Sequence, residues 1–159
     1  MKPSAFQYDR IKTVLSTQYP TLDVDKILGN VDISVSRKTR RIREIFDVAD
    51  EKILLFTLKT SDGRYLASYE AGRRMLESGY WDRIVEMNDE SVEFIKRGKS
   101  AFCKHVIAVH GTVQPLQEVL LVDQHRNLLA IGSAVQPGYA MMQLESGVAV
   151  KTRAIQKLG

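Results

Sequence analysis

The fold is decided by the stretch Gly98-Lys99-Ser100-Ala101-Phe102-Cys103-Lys104-His105-Val106-Ile107-Ala108-Val109. The residues before it, 89–97, have helical periodicity, with acidic residues at the start and cations at the end, which suits the helix dipole. Gly98 fits the left-handed position that ends a helix. Residues 101–109 predict a strand that carries Lys104 and His105 between apolar residues. A helix end, a glycine and cations on a strand together would suit a phosphate chain.

Composition narrows the classes of protein. The chain has 159 residues, of which 44% are hydrophobic and 26% charged, an ordinary globular balance. It has no apolar run near the ~20 residues of a membrane span and no apolar signal-peptide core, so we expect cytoplasmic residence without a membrane partner. The single Cys103 excludes an internal disulfide and a cysteine-rich zinc site, and no cofactor is expected. A net charge of +4 is too modest to identify a nucleic-acid binder.

The first part of the chain predicts a small α+β domain over residues 1–79. Residues 5–19 show one apolar helical face, and Pro20 ends that helix before a loop that reaches Gly29. A second helix is expected at 69–78, with Gly79 as its end cap. The expected strands are 31–35, 42–48, 53–58 and 64–67, the last two joined by a tight turn at Asp62-Gly63.

The second part, residues 80–157, predicts a mixed β-barrel with short inserted helices. One helix is expected at 89–97, and one or two helical turns at 139–145. The expected strands are 83–87, 101–109, 118–123, 128–134 and 148–154. Several short strands at this spacing are typical of a small barrel.

Four sequence blocks of this second part, taken in their order and spacing, resemble the PUA domain shared by pseudouridine synthases and archaeosine transglycosylases. The blocks lie at 92–106, 118–123, 128–134 and 147–153. The first part is similar to the domain that precedes this module in archaeal tRNA-guanine transglycosylases, through the stretches 8–11, 36–37, 61–63 and 69–74. Nearly the whole chain therefore resembles the C-terminal RNA-binding part of those enzymes.

The resemblance implies binding of structured RNA, commonly the tRNA acceptor stem and 3′ end. It assigns the contacts to the first helix of the module, the glycine after it, the following strand and the last strand. Carried over residue by residue, it marks Arg97, Gly98, Lys99, Ala101, Lys104, Lys151 and Arg153. Lys151 and Arg153 differ by two positions, so we expect them on one strand face, beside the Gly98 stretch.

A second basic group lies in the first domain, where five of the seven residues 37–43 are cationic. They are Arg37, Lys38, Arg40, Arg41 and Arg43. Such a run is either a solvated charge run or a loop that faces RNA, and its density favours RNA binding.

The large catalytic barrel of the resembled enzymes is missing, which favours a non-catalytic RNA-binding protein. The expected partners are tRNA or another structured RNA and a separately encoded tRNA-modifying enzyme; the sequence leaves the oligomeric state open. One alternative is a protein-interaction module that does not bind RNA. Another is a small enzyme that uses Cys103 and His105 as a thiol–imidazole pair, although no orienting carboxylate stands at a readable position.

Overall fold

The computed structural model describes residues 1–157, and the chain divides into two units, Met1–Tyr80 and Trp81–Gly159. The first helix, α1 (Ala5–Gln18), begins with a capping box: Ser4 Oγ accepts from Gln7 N at 3.1 Å, and Gln7 Oε1 accepts from Ser4 N at 2.8 Å. A short helix, α2 (Val24–Leu28), occupies the segment that was expected to be a loop. It forms because its three apolar side chains are all buried.

Four strands follow in the first unit: β1 (Val31–Val35), β2 (Ile42–Asp47), β3 (Ile53–Leu58) and β4 (Tyr65–Ala67). They form one antiparallel sheet in the order β1-β2-β3-β4. The helix α3 (Tyr69–Glu77) starts at Ser68, whose side chain accepts from Ala71 N, and it buries Ala71 and Met75. Every strand that the sequence predicted in this unit is present.

Asp47, at the end of β2, is a buried carboxylate that joins three parts of the first unit. It accepts hydrogen bonds from Asn30 N and Ala49 N, both at 3.0 Å, and forms a 2.8 Å ion pair with Arg74 of α3. Burial alone would raise the pKa of Asp47, but these donors outweigh it and hold the pKa below its usual value.

The second unit is a curled half-barrel of six strands with two short helices, as the fold prediction required. The element bounds are β5 (Ile84–Met87), α4 (Val92–Lys96), β6 (Ala101–Phe102), β7 (Val106–His110), β8 (Glu118–Val122), β9 (Leu128–Ala134), α5 (Gly138–Met141) and β10 (Val148–Ile155). The strands run in the order β6-β10-β9-β8-β5-β7, and the β5–β8 pair is parallel.

The single strand predicted over residues 101–109 is wrong. A 3-10 turn, Cys103–His105, separates β6 from β7, because the chain changes partners there. Phe102 pairs with Val148 of β10, whereas Val106 pairs with Met87 of β5. The predicted strand thus supplies both edges of the sheet, and the turn that carries Lys104 joins them where the sheet curls.

The core of the second unit lies inside this curled sheet. Val85, Leu121, Ala130 and Val150 are all completely buried in it. Among residues 1–157, no helix has the length and apolarity that crossing a bilayer requires.

Candidate nucleic-acid interface

The end of α4 has the geometry that the sequence predicted. Gly98 adopts a φ of +91°, the left-handed region that favours glycine. Its N–H bonds to the Ile95 carbonyl at 2.9 Å, and the Lys99 N–H bonds to the Phe94 carbonyl at 3.0 Å. These two bonds define a Schellman end, which turns the chain off the helix and leaves Arg97 and Lys99 exposed.

The last strand joins this helix end through Thr152. Its hydroxyl donates to the carbonyl of Lys99 at 2.8 Å, and a side chain added at Gly98 would first meet Ile155 of β10, at 3.9 Å. Segments more than 50 residues apart in sequence therefore meet here. The sequence had singled out the two residues beside Thr152 rather than Thr152 itself.

Lys151 lies on the other face of β10 from Thr152, since side chains alternate along a strand, and Arg153 is the extra residue of a bulge between Thr152 and Ala154. Arg153 forms a bidentate ion pair with the buried Glu118, at 2.6 and 3.0 Å. Glu118 of β8 and Lys151 of β10 both pair with Ser133 of β9, so the side chains of Glu118, Ser133 and Lys151 stand on one side of the sheet. The guanidinium of Arg153 is thus held by a carboxylate, while Lys151 is exposed.

A cavity of about 320 Å³ opens beside the helix end. Its lining includes Phe94 of α4, Phe102 of β6, Lys99 and Lys104. Phe94 is 57% exposed and Phe102 44% exposed, so two aromatic rings face solvent next to two ammonium groups. Flat apolar rings beside cations are what single-stranded nucleic acids bind, through base stacking and phosphate contacts.

His105 also lines this cavity, and Asn88 sets its tautomer. The Asn88 side-chain oxygen accepts from Ser91 N at 3.2 Å, so its amide nitrogen is the donor to His105 Nδ1 at 3.1 Å. In the neutral imidazole the proton therefore sits on Nε2, which makes that nitrogen a hydrogen-bond donor.

The remaining predicted residues differ in what they can offer. Ala101 is completely buried in β6, so its side chain is not exposed to a ligand. Arg40 and Arg41 line a cavity of the first unit, whereas Arg37, Lys38 and Arg43 are exposed outside it.

The thiol–imidazole pair does not have the geometry that the sequence suggested. Cys103 and His105 lie on the 3-10 turn and not on one strand face. Cys103 is buried, and that burial raises the pKa of its thiol, which opposes a nucleophilic role. Within residues 1–157, no group of three or more His, Cys, Asp or Glu side chains is placed to hold a metal ion.

Phe94 and Phe102 are candidate site residues that the sequence analysis did not identify. The available signal was a phenylalanine next to Ile95 on the polar side of a short helix, and another between the buried Ala101 and Cys103 at the end of an edge strand. The local sequence does not distinguish an exposed aromatic residue from a core residue, because the difference depends on which strands pair.

Family comparisons agree with this geometry. Residues 83–156 match the PUA domain family, and residues 9–79 match the patch-forming domain C2 of tRNA-guanine transglycosylase. The second unit is therefore a PUA domain and the first a C2 patch-forming domain, which confirms the resemblance seen in the sequence. In this combination the chain corresponds to the C-terminal part of archaeal tRNA-guanine(15) transglycosylases.

The tRNA-guanine(15) transglycosylase of Methanocaldococcus jannaschii is 31% identical over 157 residues, which cover 94% of this chain and 23% of the relative. That of Methanothermobacter thermautotrophicus is 34% identical over 148 residues, 91% of this chain and 22% of the relative. The chain thus spans less than a quarter of the length of these curated relatives.

Solved structures show the same fold. A hypothetical protein from Pyrococcus horikoshii superimposes with a TM-score of 0.72 at 18% identity, over 96% of this chain and 92% of the other. A PUA domain from Aeropyrum pernix, solved as a tartrate complex, gives a TM-score of 0.69 at 15% identity, over 98% and 84% of the two chains. At these identities the likeness concerns the fold alone.

Proposed function

We propose that the protein binds structured RNA, with tRNA as the preferred ligand, and that it has no catalytic activity of its own. The observation that carries this proposal is the cavity at the end of α4, where Phe94 and Phe102 stand exposed beside Lys99 and Lys104. The PUA domain match and the transglycosylase relatives support the same ligand class.

The arrangement divides the contacts into two kinds. Lys99, Lys104 and Arg97 supply positive charge that binds phosphates of any sequence. Phe94 and Phe102 need an unpaired base, because a base inside a duplex cannot present its face to them. A tRNA offers both features in its acceptor region, a stem followed by an unpaired 3′ end.

We further propose that the protein acts as an accessory to a separate tRNA-modifying enzyme of the tRNA-guanine transglycosylase kind, in the cytoplasm. The support is the match of residues 83–156 to the PUA domain and of residues 9–79 to the patch-forming domain C2 of tRNA-guanine transglycosylase. In this role the two domains would present tRNA to the catalytic subunit of that enzyme.

Electrophoretic mobility shift with intact tRNA and with tRNA lacking its unpaired 3′ nucleotides tests the RNA proposal. We expect intact tRNA to bind about tenfold more tightly, since one stacked base contributes about 1–3 kcal/mol. Equal affinity for both RNAs would reject the 3′-end assignment, and absent or salt-insensitive binding would reject the RNA-binding function.

A protein-interaction module is the second candidate. It is favoured by exposed apolar side chains in and after α5, where Tyr139 is 76% and Met142 55% exposed. Such side chains are more typical of contact surfaces than of ordinary monomer surfaces. Co-purification of a protein that survives nuclease treatment would favour this candidate; loss of every co-purifying protein on nuclease treatment would favour the RNA function.

A further inference from the structure

A second cavity, of about 620 Å³, lies in the first unit. It opens between the start of α1, the loop that joins β1 to β2, and the turn that joins β3 to β4. Its lining includes Arg10, Arg40 and Arg41 but no aspartate or glutamate. A volume in this range accommodates a ligand the size of a nucleotide.

The loop that carries Arg40 and Arg41 is closed by backbone hydrogen bonds. Ser36 N–H bonds to the Arg41 carbonyl at 2.9 Å, and Arg40 N–H bonds to the Ser36 carbonyl at 2.8 Å. Arg40 adopts a φ of +59°, a left-handed conformation that is uncommon for a side chain of its kind. The loop therefore divides the basic run: two of its five cations line the cavity and three do not.

Arg10, from α1, brings a third guanidinium to the same place. Burial raises the pKa of the Tyr65 phenol, and the positive charges of Arg10 and Arg41 partly oppose this rise. The nearby Asp62 is already paired with Arg64, at 2.7 Å, and with Lys59, at 3.6 Å. Within residues 1–157, no carboxylate lies at ion-pair distance from the three guanidinium groups, which leaves the cavity positive.

Phe6 gives the cavity a flat apolar wall. It stands on the first turn of α1 and is 75% exposed, although a phenylalanine gains stability from burial. An exposed ring beside cationic side chains is also found at the end of α4, where the cations are Lys99 and Lys104. The two cavities are built from different elements in different units.

We propose that this cavity binds one unpaired nucleotide of the RNA, with its phosphate among Arg10, Arg40 and Arg41 and its base on Phe6. The proposal rests on the proposed function, because the nucleotide belongs to the RNA that the chain binds. It adds Arg10 and Phe6 to the binding residues and gives Arg40 and Arg41 a role that Arg37, Lys38 and Arg43 do not share.

Two charge-matched double variants in the same loop provide the test: Arg40→Ala with Arg41→Ala, and Arg37→Ala with Lys38→Ala. The probe is a six-nucleotide single-stranded RNA, with intact tRNA measured alongside. We expect the first pair to weaken binding of the hexanucleotide by about tenfold and to reduce the magnitude of the slope of log K against log salt by about 0.7, the value for one phosphate of a single strand. The second pair should weaken it by less than about threefold.

Phe6→Ala separates the base contact from the phosphate contact. It should weaken hexanucleotide binding by about fivefold or more without changing the salt slope, because stacking releases no counterions. Should the Arg40 and Arg41 variant fail to fold, Arg10→Gln on the exposed helix surface carries the same test.

Equal losses from the two loop pairs would overturn the inference, because they would mean non-specific attraction to a charge run. No loss from the first pair or from Arg10→Gln, while the wild type binds tRNA, would overturn it and leave the proposed function standing. Failure of the wild type to bind tRNA would overturn the proposed function and this inference together.

Discussion

Gly132 lies on β9 opposite Thr152 of β10, where the two strands approach too closely for a side chain. A Cβ added at Gly132 would stand 2.5 Å from the Lys151 carbonyl oxygen and 2.7 Å from Val150 Cγ1. Ordinary contacts of a Cβ begin near 3.4 Å, so the oxygen would have to move by about 0.9 Å, the difference between 3.4 and 2.5 Å. The oxygen belongs to the backbone of β10, so Gly132→Ala must displace that strand.

The expected cost has two parts. Overpacking of a well-packed core costs about 1–3 kcal/mol. Loosening one or two ladder hydrogen bonds adds about 1 kcal/mol each. Gly132→Ala should therefore lower the free energy of unfolding of the second unit by about 2–5 kcal/mol.

Urea unfolding followed by the fluorescence of Trp81 measures this cost, because the only tryptophan of the chain lies in the second unit. Arg126 stands over its ring at 4.3 Å, and this contact should be lost on unfolding.

The control is Gly147→Ala: Gly147 has a φ of +92° but no atom within 4 Å of an added Cβ. It should cost only the backbone strain, about 1–2 kcal/mol. A Gly132→Ala variant more stable than the control would refute the reasoning.

Three further results are expected. Cys103 should react with iodoacetamide at pH 8 at least about tenfold more slowly in the native chain than in urea, because burial raises its pKa; equal rates would contradict this. The stability that Asp47 contributes should be present at pH 7 and lost as the pH falls through the lowered pKa of Asp47 in the folded state. Asp47→Asn should therefore lower the free energy of unfolding, followed by circular dichroism, by about 1.5–3 kcal/mol at pH 7 and by little at pH 2. A cost that does not depend on pH would contradict this. Glu118→Gln should release Arg153 and destabilise the second unit by about 1–2 kcal/mol. The released guanidinium should raise the RNA affinity a few-fold in a mobility shift. Weaker RNA binding by the folded variant would show that Arg153 acts while it is paired with Glu118.

Local sequence signals predicted the end of α4 well. The charges, the apolar spacing and Gly98 all act within one or two helical turns, and the structure has the expected Schellman bonds. The strands of the first unit were also predicted from the local sequence, because each strand shows its own apolar pattern and is bounded by turn residues.

The 3-10 turn at Cys103–His105 could not be read in the same way. Residues 101–109 have a continuous strand pattern, and the break arises only because β6 and β7 pair with different strands. Strand exchange of this kind depends on the closure of the whole sheet, which no local pattern encodes.

The cavities also depended on tertiary structure. Phe94 and Phe102 come together only once the chain turns at Gly98, and Arg10 meets Arg41 only once α1 lies beside the loop that follows β1. The sequence identified most of the cations but could not show which aromatic side chains accompany them. It also could not show that Arg153 is held by Glu118, since strand β9 separates these two residues.

The salt dependence of tRNA binding tests the central claim most directly. Lys99→Ala with Lys104→Ala removes two charges at the end of α4, and Lys26→Ala with Lys52→Ala removes two exposed charges that line neither cavity. The magnitude of the slope of log K against log salt should decrease by about 1.4 to 1.8 for the first variant and stay within about 0.3 of the wild-type value for the second. The reason is that fewer counterions are released on binding when phosphate contacts are lost. Equal slopes for the two variants would contradict an RNA-binding surface at the end of α4.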